Sequence, residues 1–522
     1  MLTRVRALVL ALAAAAALAL ASCGGGGGGG LADDDPATLA PADAPFYLQA
    51  TLRPKGEAKA NTESLASTVS GFDDPFGELV SYVDQNINDE PTLSGKKLSF
   101  EKDVEPWAGS KGGLFVQTFS GDDPPAAGIV QTTDPEATQQ FIDDAKQKGD
   151  TDASYKGVDY LVDGDDGTAI GVVGDFFVVG DEPAFKQVVD VSGGGDSLAD
   201  DSQFTDALGG APDGSLVDGY LDVERVVKQA EAEDPSTAQG VDATLGDTSG
   251  RNALFSLIPN KDSIELDATT NLDQSFTGVD LSSLIETFPD TSFVALGVPD
   301  LGALIDKAIN QLDQGGVPGL SRNAIDEQLS QAGLSLDEIT GALGDLGIFV
   351  SGQDRATLQG AGVIETKDPA AAEKLITKLT AITGLAQLSG DSGVKPAPIG
   401  QGISITDPQE IGPQPLVVTT LNDKIAIGYG EQATKQALGK GVEGTLADDP
   451  TYKQAVGALG GNGVSGYVSL DGVFRLADRL GSLDDPDYVK ARPYLQHLTY
   501  LIFGGGDQGD RSSSKAIVGV RP

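Results

Sequence analysis

The chain has 522 residues, with 78 acidic and 35 basic side chains and a formal charge of −43. Such an acidic surplus repels nucleic-acid phosphates and anionic lipid headgroups, so we expect no nucleic-acid partner. One cysteine allows no disulfide within the chain and one histidine allows no two-histidine zinc site, whereas 39% hydrophobic residues are enough to build packed cores.

The first 22 residues predict a secretory signal peptide. Arg4 and Arg6 precede an apolar run over residues 7–21, which is the charged-then-apolar layout of such signals. The run is shorter than the roughly 20 residues that cross a bilayer as a helix. It ends in Leu20-Ala-Ser-Cys23, which resembles the lipobox of bacterial lipoproteins. The resemblance implies cleavage before Cys23 and attachment of a diacylglycerol to its sulfur.

Residues 23–40 are expected to be a tether between this lipid and the folded part. Seven consecutive glycines at 24–30 have no side chains to bury and form a flexible linker. Two or three acyl chains are enough for stable anchoring. We therefore expect an exported protein whose membrane contact is the lipid on Cys23, at the outer face of the bacterial cell membrane.

From residue 41 onward the sequence repeats itself at an offset near 247 residues. Phe46 in the first copy matches Phe293 in the second, and Tyr220 matches Tyr467 within the similar six-residue segments 217–222 and 464–469. The matching segments keep their order along the chain, which makes chance a poor explanation. We predict two tandem domains, residues 41–270 and 271–522.

Each copy mixes short β-rich runs with helix-forming stretches. The runs that predict strands are 46–52, 114–119, 169–173 and 176–179 in the first copy and 293–298, 348–350, 416–420 and 424–428 in the second. The pairs Gly174-Asp175 and Asn422-Asp423 separate neighbouring runs and indicate hairpins. Terminal hairpins are predicted from the runs 253–258 with 263–269, and 500–503 with 515–520.

An acidic residue followed by proline marks the start of several predicted helices. These pairs begin at Asp134, Glu182, Asp368, Asp449 and Asp485. An acid at the N-cap accepts hydrogen bonds from free backbone N–H groups, and proline at the first helical position sacrifices no bond. We interpret these acids as helix caps and not as catalysts.

The predicted fold class is α+β, with two tandem repeats. Each repeat is expected to be a mainly antiparallel sheet with helices packed on one face. Residues 227–247, rich in Glu, Asp and Ala, predict a helix followed by a mobile loop.

The chain resembles a family of bacterial lipoproteins known as domain of unknown function 3352. The segments that carry the resemblance are the lipobox at Cys23, the opening Pro41-Ala-Asp-Ala-Pro-Phe-Tyr-Leu, the helix start Thr133-Asp-Pro, the stretch Tyr155-Lys-Gly-Val-Asp-Tyr160 and the strand Asp175-Phe-Phe-Val-Val-Gly180. The similarity is expected to run from about Pro41 to Leu480. It implies the location and the architecture, and it brings no activity or site residue.

Few residues offer catalytic or metal-binding chemistry. His497 would have to serve any serine triad, yet no Gly-x-Ser-x-Gly elbow occurs, and a packed or surface role is expected. No phosphate-binding loop or dinucleotide fingerprint is present, so no cofactor is predicted. The segment 163–167 lacks the acids of a calcium loop and is interpreted as a hairpin tip, so no metal site is predicted. Trp107 could anchor a partner, but burial habits favour a packing role.

Three functions are compatible with these observations. The leading hypothesis is a lipid-anchored extracytoplasmic envelope protein with a binding or scaffolding role, which is not an enzyme. The second is a receptor for an apolar small ligand held in a sheet groove, and the third is a hydrolase that uses paired carboxylates. A deep apolar pocket would favour the receptor, and a clustered pair of acids with shifted pKa values would favour the hydrolase.

Overall fold

The chain divides after Asp273 into two units. The computed structural model describes residues 35–70, 80–81, 84, 88, 92–121, 123–233, 247–272, 279–314, 321–331, 333–388, 393–508 and 511–521. The predicted signal peptide, Cys23 and the glycine run lie outside the described residues.

An antiparallel sheet forms the centre of the first unit. Its strands within the described residues are β1 (Phe46–Thr51), β2 (Ala108–Val116), β3 (Ala126–Thr132), β4 (Thr151–Tyr155), β5 (Val158–Val162), β6 (Thr168–Val173), β7 (Phe176–Asp181), β8 (Val217–Asp222), β9 (Asn252–Asn260) and β10 (Ser263–Thr270). They follow the order β4-β5-β6-β7-β3-β2-β1-β8-β9-β10, with antiparallel neighbours throughout. The strand nearest the start of the chain, β1, therefore lies inside the sheet between β2 and β8.

The second unit has a sheet of the same strand order. The strands that the structure describes there are β11 (Ser292–Val298), β12 (Leu343–Ser351), β13 (Gln359–Thr366), β14 (Val394–Pro396), β15 (Gln401–Ile405), β16 (Leu416–Leu421), β17 (Lys424–Tyr429), β18 (Gly463–Ser469), β19 (Leu498–Gln508) and β20 (Arg511–Val520). They follow the order β14-β15-β16-β17-β13-β12-β11-β18-β19-β20, again with antiparallel neighbours. Strand β11 occupies the place that β1 has in the first unit.

Helices fill the connections between strands, so the fold class is α+β. In the first unit they are α1 (Gly56–Ser70), α2 (Pro135–Ala145), α3 (Glu182–Ser192), α4 (Ser202–Leu208) and α5 (Val223–Glu233). In the second unit they are α6 (Ser282–Ile285), α7 (Leu301–Gln314), α8 (Arg322–Gln331), α9 (Leu336–Ala342), α10 (Pro369–Leu388), α11 (Glu431–Ala437), α12 (Pro450–Ala458), α13 (Leu470–Leu480) and α14 (Pro486–Leu495). None of the helices in the described ranges has the length and apolar character needed to cross a membrane.

Acidic caps start several of these helices, as the acid-proline pairs predict. The Oδ1 atom of Asp134 accepts the N–H of Ala137 at 3.0 Å, at the start of α2. Glu182 departs from the prediction, because α3 begins at Glu182 itself and the preceding Asp181 is its N-cap residue. The predicted helix after residue 227 is part of α5, and residues 234–246 lie outside the described residues.

The two hairpins predicted from polar turn pairs are present. Gly174 and Asn422 have φ angles of 59° and 57°, in the left-handed region that glycine and asparagine tolerate best. They connect β6 to β7 and β16 to β17, two antiparallel pairs. Here the turn chemistry was readable directly from the sequence.

Helices cover both faces of the first sheet, so the prediction of helices on one face is wrong. Neighbouring residues of a strand point to opposite faces, as Phe177 and Val178 do in β7. Phe177 packs in one cluster with Phe141 of α2, and Val178 packs in another with Phe185 of α3. Residues 176–179 are all buried, because an unbroken apolar run fills both faces of its strand.

The second sheet is covered on both faces in the same way. Ile425 of β17 packs with Ile376 of α10, whereas its neighbour Ala426 belongs to the cluster that includes Ala433 of α11. Each unit therefore has two apolar layers, one on either side of its sheet.

Corresponding aromatic pairs fill the cores of the two units. Phe204 of α4 meets Tyr220 of β8 edge to face, with centroids 5.2 Å apart and an interplanar angle of 87°. Tyr452 of α12 meets Tyr467 of β18 in the same manner, at 5.1 Å and 85°. Edge-to-face contacts of this kind contribute about 0.5–1.5 kcal/mol beyond the burial of area.

Strand pairing corrects one match of the sequence alignment. When Tyr220 is superposed on Tyr467, the residues that pair with them on β1 and β11 are superposed as well. This alignment places Phe46 on Val294 and not on Phe293. Strand β11 has a bulge between Ser292 and Val294, and Phe293 is its extra residue. The predicted match of Phe46 with Phe293 is therefore wrong by one position.

Candidate functional site

Trp107 is a core residue, as its burial habits predicted. Its side chain is 2% exposed, and its ring lies 5.6 Å from that of Phe141 and 5.4 Å from that of Phe177. The indole N–H donates to the carbonyl oxygen of Asp103 at 2.6 Å. Trp107 therefore offers no surface to a partner.

His497 lies half-buried between α14 and β19. Its Nδ1 atom is 3.1 Å from the carbonyl oxygen of Arg521. Within the described residues, no serine hydroxyl or carboxylate forms a hydrogen bond to the ring. The imidazole thus connects the start of β19 to the end of the chain.

The acidic segment 163–167 forms the turn between β5 and β6, in agreement with the hairpin interpretation. The Oδ1 atom of Asp163 accepts the N–H of Asp165 at 2.7 Å, and Asp166 accepts the N–H of Thr168 at 3.0 Å. In the part of the chain that the structure describes, no three His, Cys, Asp or Glu side chains are grouped to hold a metal ion. Cys23, the predicted lipidation site, lies outside the described residues.

The second unit contains an open cleft of about 710 Å³. It lies where β11, β12 and β18 approach the first turn of α13 and the loop that precedes α12. Most of its walls are polar, and its charged side chains are Asp290, Asp354, Glu443, Asp449, Asp471 and Arg475. Five acids against one base give the cleft a negative potential, which attracts cations.

The single base does not neutralise the cleft. The Nε atom of Arg475 donates to the carbonyl oxygen of Asp471 at 3.1 Å, within its own helix. The Asp471 carboxylate is paired with Arg521, which donates to both oxygens at 3.1 Å. Asp290, Glu443 and Asp449 have no ion-pair partner among the residues that the structure describes.

Asp449 combines a structural role with a free oxygen. Its Oδ1 atom accepts the N–H of Tyr452 at 2.8 Å and caps α12. Its Oδ2 atom has no hydrogen bond within the described residues. Burial raises the pKa of the neighbouring Tyr467, and the Asp449 charge raises that pKa further, so the phenol remains a protonated donor.

Two serine hydroxyls on the cleft wall also lack partners. Ser292 and Ser351 lie opposite each other on β11 and β12 and are 3% and 2% exposed. Neither hydroxyl has a hydrogen-bond partner in the described part of the chain. Buried polar groups without partners are uncommon in folded proteins and cost stability.

The corresponding place in the first unit can be located from matching backbone contacts. Pro41 forms a bridge with Ser197, and Pro289 forms a bridge with Thr445. The N–H of Ala42 donates to the Asp196 carbonyl at 3.1 Å, as the N–H of Asp290 does to the Gly444 carbonyl. The two loops therefore correspond residue for residue.

In the first unit, the guanidinium of Arg225 fills this place. Its Nη1 atom donates to the carbonyl oxygens of Ala42 at 2.6 Å and Ala44 at 3.5 Å. Its Nη2 atom lies 3.2 Å from Asp201, and its Nε atom lies 3.1 Å from Asp222. Burial raises the pKa of the Asp222 carboxyl, and the Arg225 charge opposes that rise.

Gly472 stands in the second unit where Arg225 stands in the first. Asp222 accepts the N–H of Arg225 at 2.9 Å, and Ser469 accepts the N–H of Gly472 at 3.3 Å, at the starts of α5 and α13. A Cβ atom at Gly472 would lie 2.5 Å from Cβ of Phe293, so no side chain fits there. The second unit therefore keeps an aspartate at the helix cap, Asp449, but lacks both the arginine and the carboxylate of Asp222.

A second cavity, of about 700 Å³, lies in the first unit between α2 and the strands β4 to β6. Lys146 and Asp152 on its wall are joined by an ion pair of 2.6 Å. Asp143 and Asp159 also line this cavity, so it has fewer unpaired acids than the cleft of the second unit, and that cleft is the stronger candidate site.

Sequence reasoning missed this cleft. The matching segments that contain Tyr220 and Tyr467 end at Asp222 and Ser469. Extending this match by three positions aligns Arg225 with Gly472. The available signal was a cation, Arg225, that is present in the first unit and absent at the matching position of the second.

The described residues thus define an α+β protein with a polar, acidic cleft. The chain belongs to the family described as Protein of unknown function (DUF3352), whose model matches residues 7–477. The match begins well before Pro41, where the resemblance was expected to begin. Among curated proteins, none matches the chain.

Two solved structures show a weak likeness to the chain. Crystal form I of TP0453 is 11% identical with a TM-score of 0.25, and the match covers 46% of this chain and 80% of that one. Crystal form III of TP0453 is 10% identical with a TM-score of 0.16, and the match covers 77% and 96%. Scores this low support no argument about fold or function.

Proposed function

We propose that this protein is a lipid-anchored envelope protein that binds a ligand or partner through the cleft of its second unit, and that it is not an enzyme. The cleft carries this proposal, because it joins about 710 Å³ of open space with carboxylates that have no ion-pair partner in the described residues. Charged groups held in a concave site without partners are suited to recognition.

The N-terminal sequence supports the proposed location at the membrane. Cys23 is the only cysteine of the chain and stands at the end of a lipobox-like segment. The glycine run that follows would hold the folded units close to the outer face of the bacterial cell membrane.

The two units are proposed to be tandem repeats produced by duplication. The identical strand orders, the matching pairs Phe204–Tyr220 and Tyr452–Tyr467, and the matching loop contacts support this reading. The first copy has filled its cleft with Arg225, and the second copy has kept it open. Binding would then belong to the second copy.

The polar walls favour a polar ligand over the apolar ligand of the alternative receptor hypothesis. Asp290, Asp449 and the hydroxyls of Ser292 and Ser351 would remain without partners against an apolar molecule. Each such group that is removed from water without a hydrogen-bond partner makes the free energy of binding less favourable by about 1–3 kcal/mol.

The anchor is tested by metabolic labelling with a radioactive fatty acid. Cys23→Ala removes the only thiol and should abolish labelling and release the protein or leave it unprocessed. Ser22→Ala keeps the thiol and should remain labelled. Equal labelling of the Cys23→Ala variant would reject the anchor.

Binding is tested by mass spectrometry of molecules that co-purify with the whole protein from its own membrane. Gln432→Trp places a bulky ring on the cleft wall and should remove the ligand. Glu431→Trp makes the same change at the neighbouring exposed position of α11, which does not line the cleft. If both variants retain the same molecules as the unmodified protein, the cleft is not the binding site.

A further inference from the structure

The first unit contains a bound guanidinium in the place that is open in the second. Arg225 is held by two backbone carbonyls and two carboxylates, those of Ala42, Ala44, Asp201 and Asp222. A guanidinium has five N–H donors in a fixed plane and matches such a set of divergent acceptors. We infer that the cleft of the second unit binds a guanidinium cation that comes from outside this chain. This inference rests on the proposed binding function of the cleft.

The principal acceptor of the second unit is Asp449. In the first unit, Oδ1 of Asp201 caps α4 and its Oδ2 binds Arg225. In the second unit, Oδ1 of Asp449 caps α12 in the same way, and its Oδ2 is free of hydrogen bonds within the described residues. The carboxylate is thus fixed by the helix and still has an oxygen available for a cation.

The backbone acceptors are also retained. Asp290 and Ser292 correspond to Ala42 and Ala44, because both loops make the same backbone hydrogen bonds. Their carbonyl groups therefore stand where two contacts to the guanidinium are made in the first unit. The side chain of Asp290 adds a carboxylate that the first unit does not have at this place.

One acceptor differs, and the difference favours an exchangeable ligand. Ser469 replaces Asp222, so the cleft lacks the buried carboxylate that receives the Nε atom of Arg225. At the same time Gly472 can supply no cation, because Phe293 occupies the space of its Cβ atom. The cation must therefore arrive through the open side of the cleft.

A guanidinium fits these acceptors better than a metal ion or an ammonium. No group of three metal-ligating side chains is present in the described ranges, whereas carboxylates and hydroxyls without ion-pair or hydrogen-bond partners there line the cleft. A planar fork can reach two or three of these oxygens at once, and an ammonium acts as a single point charge. The guanidinium could be that of a free small molecule or that of an arginine side chain on a peptide.

The test is titration calorimetry on the whole protein with two probes, arginine methyl ester and the peptide acetyl-Gly-Arg-Gly-amide. Their citrulline counterparts have nearly the same shape without the charge and serve as ligand controls. Both arginine probes should bind at one site per chain, at least tenfold more tightly than the citrulline controls. Tighter binding of the peptide would identify a protein partner as the source, and equal binding would identify a free small molecule.

Asp449→Asn tests the site itself. Asparagine is as good an N-cap as aspartate, so α12 should stay intact while the charge is lost. Binding of the arginine probe should weaken at least tenfold, with unchanged thermal melting. Asp485→Asn is the matched control, because Asp485 also caps a helix, α14, through backbone N–H groups of its first turn and lies outside the cleft. This variant should bind the arginine probe as tightly as the unmodified protein does. That result would distinguish binding at Asp449 from general attraction of the probe to an acidic surface.

Several results would overturn the inference. These are no binding of either arginine probe, equal binding of citrulline, or equal losses in the two asparagine variants. If a co-purifying ligand is displaced by Gln432→Trp while arginine does not bind, the cleft binds another class of ligand and the proposed function survives. If Gln432→Trp changes nothing but arginine binding depends on Asp449, the guanidinium site stands and the broader function fails.

Discussion

The ring of Phe255 lies across the backbone of Gly219 so closely that a Cβ atom at Gly219 would overlap the ring. The two residues are directly opposite on β8 and β9. Phe503 covers Gly466 in the same way on β18 and β19. Each unit thus requires a residue without a side chain at this point of its sheet.

Gly219→Ala and Gly466→Ala should therefore each destabilise the protein. The added methyl group must displace an aromatic ring in a packed sheet, which costs about 1–3 kcal/mol. The free energy of unfolding in urea measures the loss. If the units are duplicates, the two variants should lose similar amounts.

Gly457→Ala is the matched control and should change the free energy of unfolding in the opposite direction. Gly457 is an exposed residue of α12, and a Cβ atom there would meet nothing within 4 Å. Replacing glycine by alanine inside a helix stabilises it by roughly 0.5–1 kcal/mol. A loss of stability in this variant would show that steric overlap is not what distinguishes the other two glycines.

Arg225→Ala should destabilise the first unit by roughly 2 kcal/mol, because Asp222 would remain buried without its partner. Adding Asp222→Ser should restore part of the loss, since serine carries no charge and caps the helix as Ser469 does in the second unit. Urea unfolding of the single and double variants measures both effects. A double variant less stable than Arg225→Ala would contradict this account of the ion pair.

Asp218→Asn should stabilise the protein most strongly near neutral pH. Burial raises the pKa of Asp218, although hydrogen bonds from Ser256 and Ser215 oppose the rise. A raised pKa in the fold means that ionisation costs stability above that pKa, and the cost disappears below the unfolded value of about 3.9. The difference between variant and unmodified protein should therefore shrink as the pH falls toward 4. Urea unfolding at several pH values measures it.

Asp200→Asn provides the control of opposite sign for this pH series. Hydrogen bonds from the side chain and backbone N–H of Ser197 lower the pKa of Asp200. Its ionised form therefore contributes stability at neutral pH, which is lost as the pH falls through the lowered pKa. The variant should be less stable near neutral pH, with a difference that vanishes in acid. Parallel behaviour of the two variants would refute the assigned directions.

His497→Ala should leave the fold and the cellular role intact. The ring makes one hydrogen bond, to the Arg521 carbonyl, and its loss costs about 1 kcal/mol. Thermal melting with and without a chelator should also agree, because no three His, Cys, Asp or Glu side chains are grouped to hold a metal ion in the described residues. Loss of function in a folded variant, or a large chelator-induced decrease in melting temperature, would favour an enzyme or a metal protein.

Much of the secondary structure could be predicted from local patterns. Hairpin turns such as Gly174-Asp175 and caps such as Asp134 depend on residues close together in the chain. Strand β4, Thr151–Tyr155, was missed because its residues are polar and partly exposed, so no apolar pattern marks it. The second helical layer was missed because the apolar run of β7 was not recognised as buried on both faces.

The candidate cleft could not be predicted from local patterns. Arg225 contacts the Ala42 carbonyl across 183 positions of the chain, and no short motif encodes such a pair. Asp449 has the sequence context of an ordinary helix cap, which describes only one of its two oxygens. A site of this kind emerges from topology, after distant segments have been brought together.

The interior position of β1 sets the order in which the first unit can assemble. Leu48 pairs with Leu114 on one side and with Gly219 on the other, so its second neighbour is synthesised long after the first. Contacts across such separations must first overcome the entropy of closing a long loop, and they slow folding. Strand β1 can therefore pair only with β2 until nearly the whole unit has been synthesised. A slow last step of this kind would keep the newly made first unit open until β8 has been synthesised.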